Sequence, residues 1–284
     1  MIETTSAEAQ LRQGTIRYRE AGTGAPIVLV HGLLTDSQLW REVIPRLAGD
    51  FRVIAPDWPL GSHRLPLASG ADLTPPGLAQ LIADFLIALE LEDVTLVGND
   101  TGGALCQLVA AYHPQRLARL VLTPCDAYEN FLPPALRPLQ TLARIPGATW
   151  LVLNSLRLPV ARRAPLAYGW VTKRADAALT RSWIAPALDS REIRRDAATF
   201  LSSISRRYTL EAAQRFGDFS RPVLIAWAPE DHFFKLRYAE RLQQAFPRAR
   251  LELIDDSYTF VPIDQPQRTA ELIAAFAREP ALAT

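Results

Sequence analysis

Sulfur and imidazole are scarce in this chain of 284 residues, which has 2 cysteines, 1 methionine and 4 histidines. Cys106 and Cys125 show no paired spacing, which argues against a disulfide framework or a zinc site. An excess of either charge is also missing, with 31 Lys and Arg against 30 Asp and Glu. That balance points away from nucleic acid or an acidic membrane as the main partner. No apolar run reaches the roughly 20 residues of a membrane span. The stretch from Met1 to Gln10 has neither a basic start nor an apolar core, so no secretory signal is expected there. Internal repeats and low-complexity linkers are absent. The expectation is a soluble, cytoplasmic protein acting on a small molecule, with no cofactor and no metal.

The chain is long enough for one large α/β domain, or for such a domain with an inserted lid. Its first half alternates strand and helix patterns. Strands are expected over Thr15–Arg19, Pro26–Val30, Phe51–Ala55, Asp93–Val97 and Leu117–Leu122. Helical spacing of apolar residues marks Ser37–Leu47, Pro76–Leu89 and Thr101–Tyr112. This alternation implies a mostly parallel, doubly wound sheet with helices on both faces. From about Asp126 to about Gly217 the strand signal fades, and Pro, Arg and Leu dominate. Trp150, Trp170 and Trp183 fall in this stretch and are expected to pack inside a lid. Strand patterns return at Pro222–Trp227 and Arg250–Ile254, and helical ones at Leu236–Ala245 and Gln267–Phe276. The expected organisation is a core of residues 1–125 and 218–284 with a helical cap at 126–217.

One stretch carries the chemistry: Thr95-Leu96-Val97-Gly98-Asn99-Asp100-Thr101-Gly102-Gly103-Ala104-Leu105. A buried strand ends at a glycine, a polar residue follows two positions on, another glycine two after that, and a helix then begins. This is the strand–turn–helix form of a nucleophile elbow. The residue at its tip is Asp100. A carboxylate is ionised at neutral pH and can attack an electrophilic carbon with no base to deprotonate it. His31-Gly32-Leu33 follows an earlier strand, and the Leu33 and Thr101 N–H groups are placed to form an oxyanion hole. Ile225 to Asp231 is a strand running into a turn with an acid at its end.

This order of parts, from residue 14 to residue 278, resembles the α/β-hydrolase superfamily. Asp at the elbow is similar to the haloalkane dehalogenase and epoxide hydrolase branch. The resemblance implies an α/β-hydrolase fold with a helical cap and an aspartate nucleophile that forms an alkyl-enzyme ester. It also implies a histidine that activates water to release that ester. At the position of that histidine, in Asp256-Ser257-Tyr258-Thr259-Phe260-Val261-Pro262, stands Thr259. A threonine hydroxyl is too weakly basic to act alone near neutral pH. Among the four histidines, His31 is expected to order its loop, His113 to end the elbow helix and His232 to pack or face solvent. His63, in the loop after the Phe51–Ala55 strand, is the candidate surrogate base. Asp231 stands at the usual position of the orienting acid, and Asp126 at the position that some dehalogenases use.

Other family features differ too. The halide-holding Trp and Asn of haloalkane dehalogenases are replaced by Thr101 and Leu33. The proline of the epoxide hydrolase His-Gly-x-Pro turn is replaced by Leu34. Tyr128, Tyr168 and Tyr208 are available in or near the cap. The function expected is a hydrolase with an aspartate nucleophile acting on a small or mid-sized apolar substrate. The alternative is a non-hydrolytic enzyme or a ligand-binding protein on the same scaffold.

Overall fold

The computed structural model describes residues 4–174 and 176–279. Eight strands form one sheet: β1 Thr5–Leu11, β2 Gly14–Ala21, β3 Ala25–Val30, β4 Phe51–Pro56, β5 Val94–Asp100, β6 Leu117–Cys125, β7 Val223–Trp227 and β8 Ala249–Leu253. Their order across the sheet is β1-β2-β4-β3-β5-β6-β7-β8. β1 and β2 run antiparallel at one edge, and the other strands are parallel. This agrees with the α/β-hydrolase fold expected from the sequence. β1 was not anticipated. Most of its residues are exposed or half-buried, so its sequence lacks the apolar signal of the inner strands.

Side-chain alternation on the inner strands divides the apolar residues into two layers. Val28 and Val30 of β3 belong to a core under the helices Pro75–Ala88 and Thr101–Tyr112. Ile27 and Leu29 of the same strand belong to a core on the opposite face, under the C-terminal helix Pro266–Arg278. The helix expected over Ser37–Leu47 is instead a 3-10 turn, Ser37–Trp40, and a short helix, Ile44–Leu47. Pro45 lacks an N–H and fits only the first turn of a helix, so the chain restarts there.

Between β6 and β7 the chain is helical. Arg137–Ala143, Ala148–Ser155, Ala177–Asp189, Arg191–Ser203 and Arg206–Ala213 are its longer helices. They pack above the carboxyl ends of the strands, where Trp183 joins the apolar core beneath. Of the three tryptophans expected inside, Trp183 is buried, whereas Trp150 and Trp170 are 40% and 36% exposed. The ring of Trp170 stacks on His232, with centroids 5.1 Å apart, which satisfies an aromatic face without burying it. Among the described residues, no helix is long and apolar enough to cross a membrane.

Candidate active site

The elbow forms where β5 gives way directly to the helix Thr101–Tyr112. Asp100 sits at the junction with φ 55° and ψ −133°, a conformation that disfavours a side chain and costs about 1–3 kcal/mol. Glycines make the turn possible by allowing close approach. A Cβ on Gly102 would collide with the Val30 and His31 carbonyls, and one on Gly32 would occupy the space of the Asp100 carboxylate.

The side chain of Asp100 is half-buried against the turn that follows β3. The Leu33 N–H donates to its Oδ2 at 3.2 Å. Burial raises the Asp100 pKa to about 7, while the Leu33 and Thr101 N–H groups pull it down and Asp231 pushes it up. Of the two amides that the sequence assigns to an oxyanion hole, the Leu33 N–H therefore already faces a carboxylate oxygen, and the Thr101 N–H lies near enough to lower the pKa of the same group. Leu34, next in the chain, has φ 52°. Its N–H donates to Leu60 O at 2.9 Å and its carbonyl accepts from the Tyr168 hydroxyl at 2.8 Å. Those two bonds hold a strained leucine that aims the Leu33 amide, a role with no sequence signal.

Asp231 and Thr259 form a pair. The Thr259 hydroxyl donates to Asp231 Oδ2 at 2.7 Å, and the Phe233 and Phe234 N–H groups donate to Oδ1 at 2.7 and 2.6 Å. Burial raises the Asp231 pKa to about 6 against those donors. Asn99, just before the nucleophile position, donates to Thr259 O at 2.7 Å and to Thr123 Oγ1 at 2.8 Å. It ties the elbow to the loop that carries Thr259. Asp126 is bonded elsewhere: its Oδ2 accepts from the Thr101 hydroxyl at 3.3 Å, and its Oδ1 is buried with no partner. Burial and the nearby Asp100 push its pKa well above the ordinary carboxylate value. Of the two candidate acids, Asp231 is the one joined to the residue at the histidine position.

His63 does not join this group, which corrects its expected role as surrogate base. Its Nδ1 accepts from the Gly61 N–H at 3.3 Å, and its Nε2 lies 3.3 Å from Asp196 Oδ2 on the cap helix Arg191–Ser203. Both ring nitrogens are thereby engaged, by the Gly61 amide and by a cap carboxylate. His63 joins the core to the cap. His31 likewise orders its loop, accepting from the Trp58 N–H at 2.8 Å and bonding Gly32 O at 2.9 Å.

The cavity at Asp100 has a volume of about 140 Å³. Asp100, Thr101 and Tyr168 are the polar side chains among its lining residues; the rest include Leu132, Leu136, Val152, Val171, Phe233 and Phe260. A half-buried carboxylate with one oxygen on the Leu33 amide, lining an apolar chamber, can add to an electrophilic carbon or take a proton from one. Among the described residues, no cluster of His, Cys, Asp and Glu could hold a metal ion.

This fold and elbow define a class, the α/β hydrolases. The family model for the alpha/beta hydrolase fold matches residues 25–266, so the chain belongs to that family and is a probable hydrolase. It is 29% identical over 278 residues to an uncharacterised protein of Mycobacterium tuberculosis H37Rv, covering 91% of this chain and 77% of that one. It is 27% identical over 269 residues to haloalkane dehalogenase 2 of the same strain, covering 92% of this chain and 91% of that one. The structure of the epoxide hydrolase CorEH superposes with a TM-score of 0.80 at 20% identity, covering 96% of this chain and 98% of that one.

Proposed function

We propose that the protein opens small strained oxygen rings, epoxides above all, through an ester to Asp100. The observation that carries this reading is the Asp100 carboxylate, lining an apolar cavity with Oδ2 held by the Leu33 amide. Oδ1 is then the attacking oxygen. It bonds the ring carbon as the carbon–oxygen bond of the ring breaks, and the released alkoxide takes a proton from water. The Tyr168 hydroxyl, kept protonated by burial, is committed to the Leu34 carbonyl. A ring oxygen is favoured over a halide as leaving group because Thr101 and Leu33 stand where halide donors would be. A haloalkane dehalogenase and an epoxide hydrolase are among the proteins that this chain resembles.

The second step falls to the Thr259–Asp231 pair. Water attacks the ester carbonyl, the Leu33 and Thr101 amides hold the oxyanion, and the Thr259 hydroxyl relays the water proton to Asp231. The bond between the carbonyl carbon and the product oxygen then breaks; that oxygen takes the proton back from Asp231, and the Asp100 carboxyl loses its proton to solvent. Without an imidazole this step is slow, since a positioned general base is worth about 10²–10⁴ in rate. A second reading has its own support in the raised pKa of Asp100, near 7, and in the absent histidine. In it Asp100 acts as a general base and forms no ester. Incubation with styrene oxide or 1,2-epoxybutane, followed by peptide mass spectrometry, separates the two. The ester reading predicts an adduct on the Asp100 peptide that Asp100→Asn lacks; turnover with a clean peptide at all times favours the base.

A further inference from the structure

The chamber at Asp100 shares its walls with a second space, and that space with a third. Leu33, Leu34, Leu139 and Val152 line both it and a narrower apolar space of about 50 Å³ between the cap helices. Ala143 and Thr149 line both that space and a wide surface mouth of about 630 Å³. The three spaces follow one another from Asp100 to the outside of the cap. The inner two are apolar almost throughout; Thr149 is the one polar side chain lining the middle space.

The mouth has a different character. Arg144, Arg191, Arg194 and Arg195 line it, with Ile145 and Trp150, and no acid is among its lining residues. Arg195 is paired with the buried Asp196 at 2.6 Å, and Arg194 donates to the Leu188 and Ser190 carbonyls at 3.2 and 3.3 Å. Arg144 donates to Ser202 O at 3.2 Å, which leaves its charge uncompensated. Neither Arg144 nor Arg191 has an ion-pair partner among the described residues. Glu192 lies beside them and accepts from the Ser190 hydroxyl at 2.9 Å. The net charge at the opening is positive. Guanidinium groups suit the flat, two-oxygen face of a carboxylate or phosphate.

We infer that the molecule this site takes is a single-chain amphiphile, with a carboxylate or phosphate head at the Arg144–Arg191 mouth and an apolar chain running between the cap helices to Asp100. The chamber at Asp100 is smaller than the roughly 300–1,000 Å³ of a typical small-molecule pocket, which suits the reacting end of a chain better than a whole ligand. The inference rests on the reading that this chamber receives the reacting group.

Binding to the Asp100→Asn protein tests it without turnover. Decanoate, decyl phosphate and decanol are titrated by calorimetry, all below their aggregation limits. The expected result is at least tenfold tighter binding of one or both anions than of decanol, the advantage shrinking as salt is raised. The Arg144→Glu, Arg191→Glu double variant, whose altered side chains are exposed, should erase that advantage and leave decanol binding unchanged. Ala143→Trp, at the neck, should weaken all decyl chains. Thermal melts of each variant show that the fold is retained. Equal affinity for anion and alcohol, or indifference to the charge reversals, overturns the proposal. If the anions bind as stated but epoxides leave no ester and undergo no turnover, the ring-opening reading fails and the amphiphile site stands.

Discussion

At the scale of single residues, the charge of Asp100 is set against its desolvation. Asp100 has a pKa raised to about 7 from 3.8 by desolvation. A carboxyl group whose pKa is higher folded than unfolded binds more protons in the native state across that interval. Stability must then fall as pH rises from about 4 to about 7. Asp100→Asn removes the penalty. The variant should melt above the wild type at pH 8, by an amount on the order of a few kcal/mol, and the gap should close towards pH 4. Melting temperatures that stay parallel across that range would contradict the desolvated-carboxylate account. Activity should run the opposite way, with kcat/KM for ester formation rising with pH through about 7. Thr259→His is the second test at this scale. The hydroxyl already bonds Asp231 at 2.7 Å, so an imidazole placed there would have its orienting acid in reach. Release of the Asp100 adduct should quicken on the order of a hundredfold, read as decay of the adduct mass. No change in decay would show that the missing base is not what limits this step.

At the scale of elements, the sequence reveals most where packing is regular. The helix Thr101–Tyr112 has the expected bounds, because a strand, a glycine corner and an apolar helix must follow one another at an elbow. The edge strand β1 and the broken segment Ser37–Leu47 escape, since the first buries little and the second is interrupted by Pro45. Within the site, Asp100, Leu33, Thr101 and Asp231 carry motif signals. Asn99, Leu34 and Tyr168 do not: their roles depend on contacts between segments as far apart as residues 99 and 259. His63 was misread for the same reason. Its loop position allows either direction, and only the cap helix, which brings Asp196, decides it. The His63 and Asp196 side chains are both buried, and the Leu67 N–H and Arg195 share the same carboxylate. His63→Ala should destabilise by about 1–3 kcal/mol, lowering Tm by several degrees, with adduct decay unaltered. A slower decay at unchanged Tm would restore His63 to the chemistry.

At the scale of the whole molecule, the parallel sheet supplies a rigid floor and the helical segment above it supplies the walls. Asp100 and the Leu33 and Thr101 amides belong to the floor, at the carboxyl ends of β3 and β5, where ligands of doubly wound sheets bind. Tyr168, Val152 and Leu136 belong to the walls. Chemistry and specificity are thereby carried by different parts of the chain. The floor follows the family closely enough to be legible in one sequence. The walls are irregular, rich in Pro and Arg, and carry no periodic signal from which a substrate could be read.

The central claim is that the Asp100 carboxylate itself becomes bonded to the substrate. A single turnover of an epoxide, with enzyme in excess and in water carrying heavy oxygen, reports on this directly. If Asp100 attacks, the new hydroxyl of the first diol formed carries ordinary oxygen taken from the enzyme, and the label appears in the Asp100 peptide. If the label enters the first diol straight from the solvent and the peptide stays unlabelled, the carboxylate is a base and the ester account is wrong.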